Sequence, residues 1–509
     1  MDDKLIVSNR TALTAKYGPT GVAKIKAVVG ALISADARRG IRSRLVYLDD
    51  TATMKRFRGR AVTDASSERQ NKEAIDAIFK SANPEYLMIL GAPDVVPHQD
   101  VANPMFDPPD DEDQYAFGDL PYACDAPYSR DVATFKGPTR VVGRLPDLTG
   151  AHEPAYLLTL LGVAANHQTR DVTDYGTYFG LSTYSWRKST ALSLFNVFGN
   201  SDALTLAPPS GPTHPAKRLS PLAHFINCHG GKSDVAFYGE KGSAQPESLT
   251  SDAIKGRIKP GTVAAVECCY GAELYDSVTL ALPLPICQHY LKQGAYGYFG
   301  ASTIAYGPSV GNGAADLITQ YFLLAIVDGA SLGRAALIAR QKFVQQTGEL
   351  DPADLKTLAQ FGLLGDPSIH PAKVSTPTGL PKGIDRAEAE RYQRRERRAK
   401  LRAVGEFLRD TKPTASRKSR SARRSPTVAR ALANIAREAG IGTKKDFTAY
   451  DVKIPPAAKA KGGKAAAVAS RYYLAVYRPR AGGVAGRSVV AVAKEFGGRI
   501  VGYRIYEEK

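Results

Sequence analysis

The sequence of 509 residues is long enough for two or three domains, and its 43% hydrophobic content is typical of a soluble globular protein. No stretch approaches the roughly 18 consecutive apolar residues of a membrane span, and the acidic start MDDKLIV lacks the positive region of a signal peptide. Five cysteines, two of them adjacent, form neither an even disulfide framework nor a zinc-site spacing. We therefore expect a reduced, cytoplasmic protein.

Strands alternate with helices at the start of the chain. Apolar runs at 4–8, 42–48 and 86–90 predict strands, and residues 20–38 and 68–81 have the apolar spacing of amphipathic helices. Strands and helices that alternate in this way form βαβ units around a parallel sheet. Residues 1–150 are therefore predicted to form an N-terminal α/β subdomain.

Residues 101–138 interrupt this alternation. The run from Pro108 to Asp113 is acidic and rich in proline, and Asp119, Asp125 and Asp131 follow among aromatic residues and prolines. Two interpretations remain open for this segment. It is either a solvated connecting loop or the acidic wall of a substrate pocket.

The alternation returns in residues 151–375, which are predicted to form a second subdomain. Segment 233–260 is expected to be a loop that borders a cleft, because long loops on a rigid sheet are often functional. Trp186 is the only tryptophan of the chain, and we expect it in the core. Strands are predicted at 140–145 and 294–301, and helices at 151–166, 285–292, 314–327, 332–346 and 353–363.

Two further apolar runs of this second subdomain each end in a reactive residue. In the segment HFINCHGG, His229 follows the apolar run and precedes two glycines, and the segment TVAAVECCYGA contains Cys268 and Cys269. Runs of this kind are buried strands of parallel sheets, and sites lie at the carboxyl ends of such strands. We expect His229 and Cys269 to leave neighbouring strands at one edge, where an imidazole can hold a thiol as the nucleophilic thiolate. The N–H of Gly230 can polarise a scissile carbonyl.

Taken one at a time, these residues have ordinary structural interpretations. A single histidine after an apolar run is usually a hydrogen-bonded structural residue, and a buried cysteine usually acts as a small apolar side chain. The pair, in this order and with glycine after each strand end, favours a catalytic dyad instead.

These motifs resemble a known family. An apolar block ending in His-Gly, followed by a second block ending in a small residue and Cys, is similar to the caspase-type cysteine peptidases of clan CD. Residues 142–146 (VGRLP), 299–303 (FGAST) and 363–368 (LLGDPS) resemble the gingipain branch of that group. The resemblance spans about residues 1–372. It implies a caspase-like α/β fold, a His/Cys dyad and cleavage after a defined residue.

The resemblance also implies individual site residues. The caspase signature Q-A-C-x-G aligns with Glu267–Gly271 and makes Cys269 the nucleophile, although Glu replaces Gln and Cys replaces Ala. A register one residue earlier would make Cys268 the nucleophile, so Cys268 stays as the alternative. Glu267 and Ser302, which lie inside the matching motifs, are candidate substrate-binding residues.

A substrate preference follows from the same resemblance. In arginine-specific gingipains an aspartate just upstream of the Gly-Arg strand lies in the specificity pocket. Asp125 or Asp131 would take that position in this sequence. A carboxylate there selects Arg or Lys through charge-assisted hydrogen bonds. Gingipains are secreted, whereas the start of this sequence favours the cytoplasm.

The composition changes near residue 381. Residues 381–430 hold 17 Lys or Arg and 6 Asp or Glu, which is a large share of the net charge of +18. We predict a basic helix and a Ser/Arg-rich linker in 376–430, and a small α+β module in 431–509. Three interpretations remain open for the basic segment: a solvated linker, a nucleic-acid or acidic-partner surface, and a cleavage site at 412–424.

Together these patterns predict an α/β caspase/gingipain-like parallel-sheet sandwich of two βα subdomains with a small basic C-terminal α+β module. The predicted function is that of a cysteine endopeptidase acting on protein or peptide substrates through a thioester, with Arg or Lys before the cut. It would need no metal or cofactor. The alternative is an inactive caspase-like scaffold whose basic module binds nucleic acid or an acidic protein. Neither hypothesis involves a membrane.

Overall fold

The computed structural model describes residues 2–108, 111–373, 386–417, 426–438, 447–455, 470–477, 488–497 and 499–509. The helices in these ranges are α1 Arg10–Arg38, α2 Thr51–Arg56, α3 Glu68–Ala82, α4 Ala155–Asn166, α5 Arg187–Phe198, α6 Ile286–Lys292, α7 Ala314–Val327, α8 Leu332–Gln346, α9 Pro352–Gln360, α10 Arg386–Thr411 and α11 Pro426–Glu438.

The strands begin with β1 Lys4–Ser8, β2 Ser43–Tyr47, β3 Tyr86–Leu90, β4 Gln99–Ala102, β5 Tyr115–Gly118, β6 Val142–Leu145, β7 Arg170–Asp171, β8 Tyr178–Thr183, β9 Leu204–Ala207, β10 Ala223–Asn227, β11 His229–Gly230 and β12 Ala236–Tyr238. They continue with β13 Glu247–Thr250, β14 Val263–Val266, β15 Gly297–Ala301, β16 Tyr306–Gly307, β17 Phe361–Gly365, β18 Ala372–Lys373, β19 Thr414–Arg417, β20 Thr448–Lys453, β21 Arg471–Tyr477, β22 Val489–Phe496 and β23 Arg499–Glu508.

A ten-stranded, mostly parallel sheet forms the centre of the molecule. Its strand order is β2-β1-β3-β6-β17-β15-β14-β10-β8-β9. Every neighbouring pair is parallel except β15 and β17, which run antiparallel. The sheet therefore has two parallel halves of opposite direction that meet at β17. The mixed α/β fold with a large parallel sheet confirms the predicted fold class.

Apolar side chains cover both faces of this sheet. All residues of β1, β3, β10 and β15 are buried, although neighbouring side chains of a strand point to opposite faces. Helices α1, α4 and α6 pack together, and α5, α7, α8 and α9 form a second packed group. Consecutive burial of this kind is typical of a parallel sheet with helices on both sides.

A second sheet joins the C-terminal residues to the central body. Its order is β16-β23-β22-β21-β20-β19, and all of its pairs are antiparallel. Strand β16 follows directly from the central strand β15 along the chain, whereas the other five belong to the C-terminal region. Helix α11 packs on β22 and β23. The antiparallel strands predicted at 471–477, 488–492 and 499–506 correspond to β21, β22 and β23.

Three segments differ from the sequence-based expectation. Residues 361–363, predicted as the end of a helix, begin strand β17, because α9 ends at Gln360 and the apolar run FGLLG enters the sheet. Segment 233–260 contains β12 and β13, which form a small antiparallel sheet with β11. Within the predicted linker, 414–417 form β19, and 418–425 lie outside the described residues. Across the described ranges, no helix is both long and apolar enough to cross a membrane.

Candidate active site

His229 and Cys269 follow two hydrogen-bonded parallel strands at the same level. Strands β10 and β14 pair in register from Ala223 and Val263 to Ile226 and Val266. His229 and Cys269 each lie three residues beyond the last of these pairs. Because paired strands are about 4.8 Å apart, the two residues leave the sheet side by side at its carboxyl edge.

Gly230 lies directly against the backbone of Cys269. A Cβ atom added at Gly230 would lie 2.0 Å from the carbonyl oxygen of Cys269 and 3.4 Å from Cβ of Cys268. Only glycine can be accommodated this close to the Cys269 carbonyl, because every other residue carries a Cβ atom. The loop after β10 and the loop after β14 are therefore packed against each other through their main chains.

The His229 ring has a carboxylate partner and an aromatic neighbour. Its Nε2 lies 3.1 Å from Oε2 of Glu240, and its ring centroid lies 4.0 Å from that of Trp186. The imidazole is almost fully buried. Sequence reasoning did not identify Glu240, since a glutamate in a long polar segment carries no local signal of its contact with a histidine.

The two adjacent cysteines face different surroundings. The Cys269 thiol accepts a hydrogen bond from the Ala305 N–H at 3.2 Å, and its own backbone N–H donates to the backbone oxygen of Lys509 at 3.0 Å. The Cys268 thiol is buried near Cys228. Burial raises the pKa of both thiols, and the Glu508 carboxyl raises the pKa of Cys269 further.

Lys509 occupies a buried acidic pocket next to this cysteine. Its side chain is fully buried, and its Nζ lies 3.3 Å from Oδ1 of Asp316 and 3.7 Å from Oε2 of Glu267. The same Nζ lies over the Trp186 ring, 4.3 Å from its centroid, at a cation–π distance. Trp186 is buried as expected, but its ring forms a wall of this pocket.

The pocket carries two carboxyls for one ammonium group. Burial is the main reason that the pKa of Glu267 is raised well above its usual range, and the nearby Asp316 raises it further. Asp316 is the only charged residue in the first turn of α7. An acidic residue in an otherwise apolar helix was the signal in the sequence that could have identified it.

Backbone pairing holds the segment that ends at Lys509. Strand β23 lies antiparallel to β16, with Glu508 opposite Tyr306 and Glu507 opposite Gly307. The Lys509 N–H donates to the Ala305 carbonyl at 2.9 Å. The indole N–H of Trp186 donates to Oε2 of Glu507 at 2.6 Å. The segment is thus an extended strand whose last backbone oxygen meets the Cys269 N–H.

The remaining candidate residues have other partners. Asp125 forms an ion pair with Arg140, 3.0 Å from its Nε, and Asp131 caps a short helical turn through the N–H of Ala133. Ser302 donates through its hydroxyl to the carbonyl of Phe117. The carboxylates that contact the Lys509 ammonium are those of Glu267 and Asp316.

A different aspartate of the 101–138 segment reaches the loops around Cys269. Asp113 accepts hydrogen bonds from the hydroxyl of Tyr270 and the N–H of Ile304, both at 2.8 Å. Asp111 accepts from Lys356 Nζ at 2.6 Å. Part of the acidic loop therefore forms hydrogen bonds with the loops around Cys269. In the described part of the chain, no group of three or more His, Cys, Asp or Glu side chains is arranged to hold a metal ion.

Comparison with known proteins shows the fold alone. No family model matches the sequence, and neither does any curated protein. A solved structure described as "Structure of Protease" is similar to this chain with a TM-score of 0.50 and 13% sequence identity. The similarity covers 99% of this chain and 96% of that one. The α/β architecture described above is therefore shared with a protease.

Proposed function

We propose that this protein is a cysteine endopeptidase of the gingipain type in which Cys269 is the nucleophile and His229 its general base. The observation that carries the proposal is the backbone oxygen of Lys509 on the N–H of Cys269, at the end of an extended strand. A peptide bound for cleavage by a cysteine nucleophile presents its carbonyl oxygen to such a donor. The equal register of His229 and Cys269 supports the same assignment.

The reaction follows from these positions. Glu240 engages Nε2 of His229, so that Nδ1 exchanges the proton with the Cys269 thiol. The sulfur attacks the carbonyl carbon, and the N–H groups of Cys269 and Gly230 stabilise the oxyanion. The C–N bond then breaks, His229 returns the proton to the leaving amine, and a thioester remains. Water attacks the thioester and releases the acid and the thiol.

The pocket around Lys509 supports a preference for a basic residue before the cut. Asp316 supplies negative charge at its base, Glu267 supplies a second carboxyl group, and Trp186 supplies an aromatic face. In a buried pocket a charge-assisted contact is worth roughly 1.5–3 kcal/mol. Lysine fits the observed geometry, and we extend the preference to arginine as the second basic side chain.

Covalent labelling tests this function directly. A peptidyl-lysyl acyloxymethyl ketone should form one thioether adduct on Cys269, located by mass spectrometry after digestion. Cys269→Ala should abolish both the adduct and the hydrolysis of lysyl fluorogenic peptides. Cys268→Ala is the matched control and should keep both. Labelling of Cys268 would reverse the assignment. If neither the parent nor Lys509→Ala, which empties the pocket, labels or cleaves, the chain is an inactive scaffold.

Pocket variants test the preference at the cut. Asp316→Asn should lower kcat/KM for a lysyl peptide relative to its norleucyl analogue by about tenfold or more, and Glu267→Gln should lower it less, because burial favours the neutral form of Glu267. Asp328→Asn at the exposed end of the same helix α7 is the control and should leave that ratio unchanged. Equal ratios in all four proteins would remove the pocket assignment.

A further inference from the structure

Strand β23 is fixed in one register by contacts outside the pocket. The Arg504 guanidinium lies 3.2 Å from Asp351 and 3.0 Å from Asp354, the capping residues of α9. The Tyr506 hydroxyl donates to Asp351 at 2.9 Å. Because these side chains alternate with those that face Trp186, the strand cannot slide without breaking the α9 contacts. Lys509 is therefore held in the acidic pocket.

The composition of this segment does not explain its burial as ordinary core packing. Its last three residues, Glu507, Glu508 and Lys509, are all charged, and Lys509 is fully buried. Charged side chains are almost never buried without specific partners. Here the partners are Trp186, the Ser488 N–H, Asp316 and Glu267. The central body supplies the partners of Glu507 and Lys509, as a binding site does for its ligand, whereas the partner of Glu508 lies next to β22.

We propose that residues 499–509 are an intramolecular inhibitor of this site. The proposal rests on the peptidase function proposed above. Strand β23 and Lys509, the residue after it, occupy the positions of the residues before the cut, and the Lys509 side chain fills the specificity pocket. Substrates reach Cys269 only after the strand has left β16. The regulatory event is then the displacement of β23, and the ligand class of the groove is an extended acidic peptide with lysine at its last bound position.

A tethered strand needs only modest intrinsic affinity for this role. A short linked segment has an effective concentration on the order of 1 mM at its own site. A segment with a dissociation constant of about 10 μM as a free peptide would then leave roughly 1% of the sites open. The raised pKa of the Cys269 thiol agrees with a resting state, because the thiolate is the reactive form.

The test compares the full chain with Lys509→Ala and with Arg499→Ala, which removes a positive charge from the exposed far end of the same strand. Lys509→Ala should raise kcat/KM for a lysyl fluorogenic peptide by about 30-fold or more. It should also speed the alkylation of Cys269 by iodoacetamide about tenfold or more, measured by mass spectrometry. Arg499→Ala should stay within about twofold of the parent in both measurements.

A rescue experiment separates inhibition from loss of folding. The free peptide Tyr-Glu-Glu-Lys should inhibit the Lys509→Ala protein, and Tyr-Glu-Glu-Ala should not. If the parent cleaves peptides and Lys509→Ala matches it in both measurements, the inhibitor proposal is wrong and the peptidase proposal stands. If Lys509→Ala alkylates faster but neither protein cleaves any peptide, the strand does cover the cysteine and the peptidase proposal is wrong.

Discussion

The surroundings of the Cys269 thiol favour its neutral form. The residue is almost fully buried, and the carboxyl of Glu508 lies on the strand that covers it. Both effects raise the pKa of the thiol, since each disfavours a second buried negative charge. Departure of β23 would admit water and remove Glu508 at the same time. The same movement would therefore open the groove and make the nucleophile more acidic.

Glu273 connects the two loops that carry the proposed dyad. It follows the CCYGA segment, and its Oε2 accepts a hydrogen bond from the N–H of Ser233 at 2.6 Å. Ser233 has a positive φ of 52°, a strained conformation for a non-glycine residue. Burial raises the pKa of the Glu273 carboxyl to about 7. The Glu273 carboxyl therefore titrates near neutral pH, between the loops that carry His229 and Cys269.

The pKa of Glu273 makes stability depend on pH. Below its ordinary value of 4.5 the carboxyl is protonated in both the folded and the unfolded chain. Between about 4.5 and about 7 only the unfolded chain loses the proton, so the free energy of unfolding falls as pH rises. Glu273→Gln keeps the acceptor and removes the titration. Relative to this variant, the parent should lose on the order of 3 kcal/mol across that window.

Urea unfolding at a series of pH values measures the difference. The difference in the free energy of unfolding between the parent and Glu273→Gln should change from pH 4.5 to pH 7 and remain constant at higher pH. Glu247→Gln, on the exposed edge of β13, is the control and should follow the parent at every pH. Parallel curves for parent and Glu273→Gln would contradict the role of this carboxyl.

Local sequence predicted only part of the site. The positions of His229 and Cys269 at neighbouring strand ends were predictable, because a reactive residue at the end of an apolar strand has a fixed place in a parallel sheet. Glu267 was placed near substrate by its motif, and the structure puts it against Lys509. Asp316 and Glu240 were missed, since their contacts depend on distant segments. The meeting of Lys509 with Cys269 joins opposite parts of the chain, and no local pattern encodes it.

At the scale of elements, β17 is the strand at which the two parallel halves of the central sheet meet. It runs parallel to β6 and antiparallel to β15. The apolar pattern of residues 353–363 continues from α9 into this strand, so periodicity alone did not reveal the boundary. Tertiary pairing with β15 decides the conformation from Phe361 onward. Seven of the ten central strands (β1, β2, β3, β6, β10, β14 and β15) were predicted from their apolar runs, whereas β8, β9 and helix α5, which lie between residues 171 and 222, were not.

A substitution at Gly365, the last residue of β17, tests the importance of this strand for stability. Its φ of +144° is unfavourable for other residues, and an added Cβ would lie 2.6 Å from the carbonyl oxygen of Tyr296. Gly365→Ala should therefore lower the free energy of unfolding by about 2–4 kcal/mol, seen as a lower urea midpoint. Gly362→Ala on the same strand has no atom within 4 Å of the added Cβ and is the control. Equal midpoints for the two variants would contradict the argument.

At the scale of the whole molecule, the C-terminal region is part of the proposed active site. Its antiparallel sheet continues from β16 of the central body through β23. From composition, residues 376–509 were predicted to form a basic region separate from the central body. Charge and sequence pattern indicate which residues are exposed to solvent, but they do not indicate which distant strands pair. The basic helix α10 packs on α8. The region that had suggested a nucleic-acid surface thus supplies the strand that fills the groove.

The position of β23 in the groove affects the kinetics and the products of the self-cleavage predicted at 412–424. The described edge strand β19 ends at Arg417, and several basic residues follow it in sequence. Because β23 covers the groove of its own chain, a cut there requires a second, opened molecule. Incubated protein should lose about 10 kDa of its 54.6 kDa at a rate that increases with protein concentration. The released fragment should still co-elute with the body, since β20 pairs with β19 and β23 with β16.

Denaturing gels and size-exclusion chromatography measure these two properties. Lys509→Ala should shorten faster than the parent, because its groove is open, and Cys269→Ala should not shorten at all. Mixing a trace of Lys509→Ala into Cys269→Ala should restore the cut in the inactive chain. Shortening of Cys269→Ala by itself would assign the cut to a contaminating protease. A rate in the parent that does not depend on protein concentration would show that a molecule cuts its own chain, and would contradict the requirement for a second molecule.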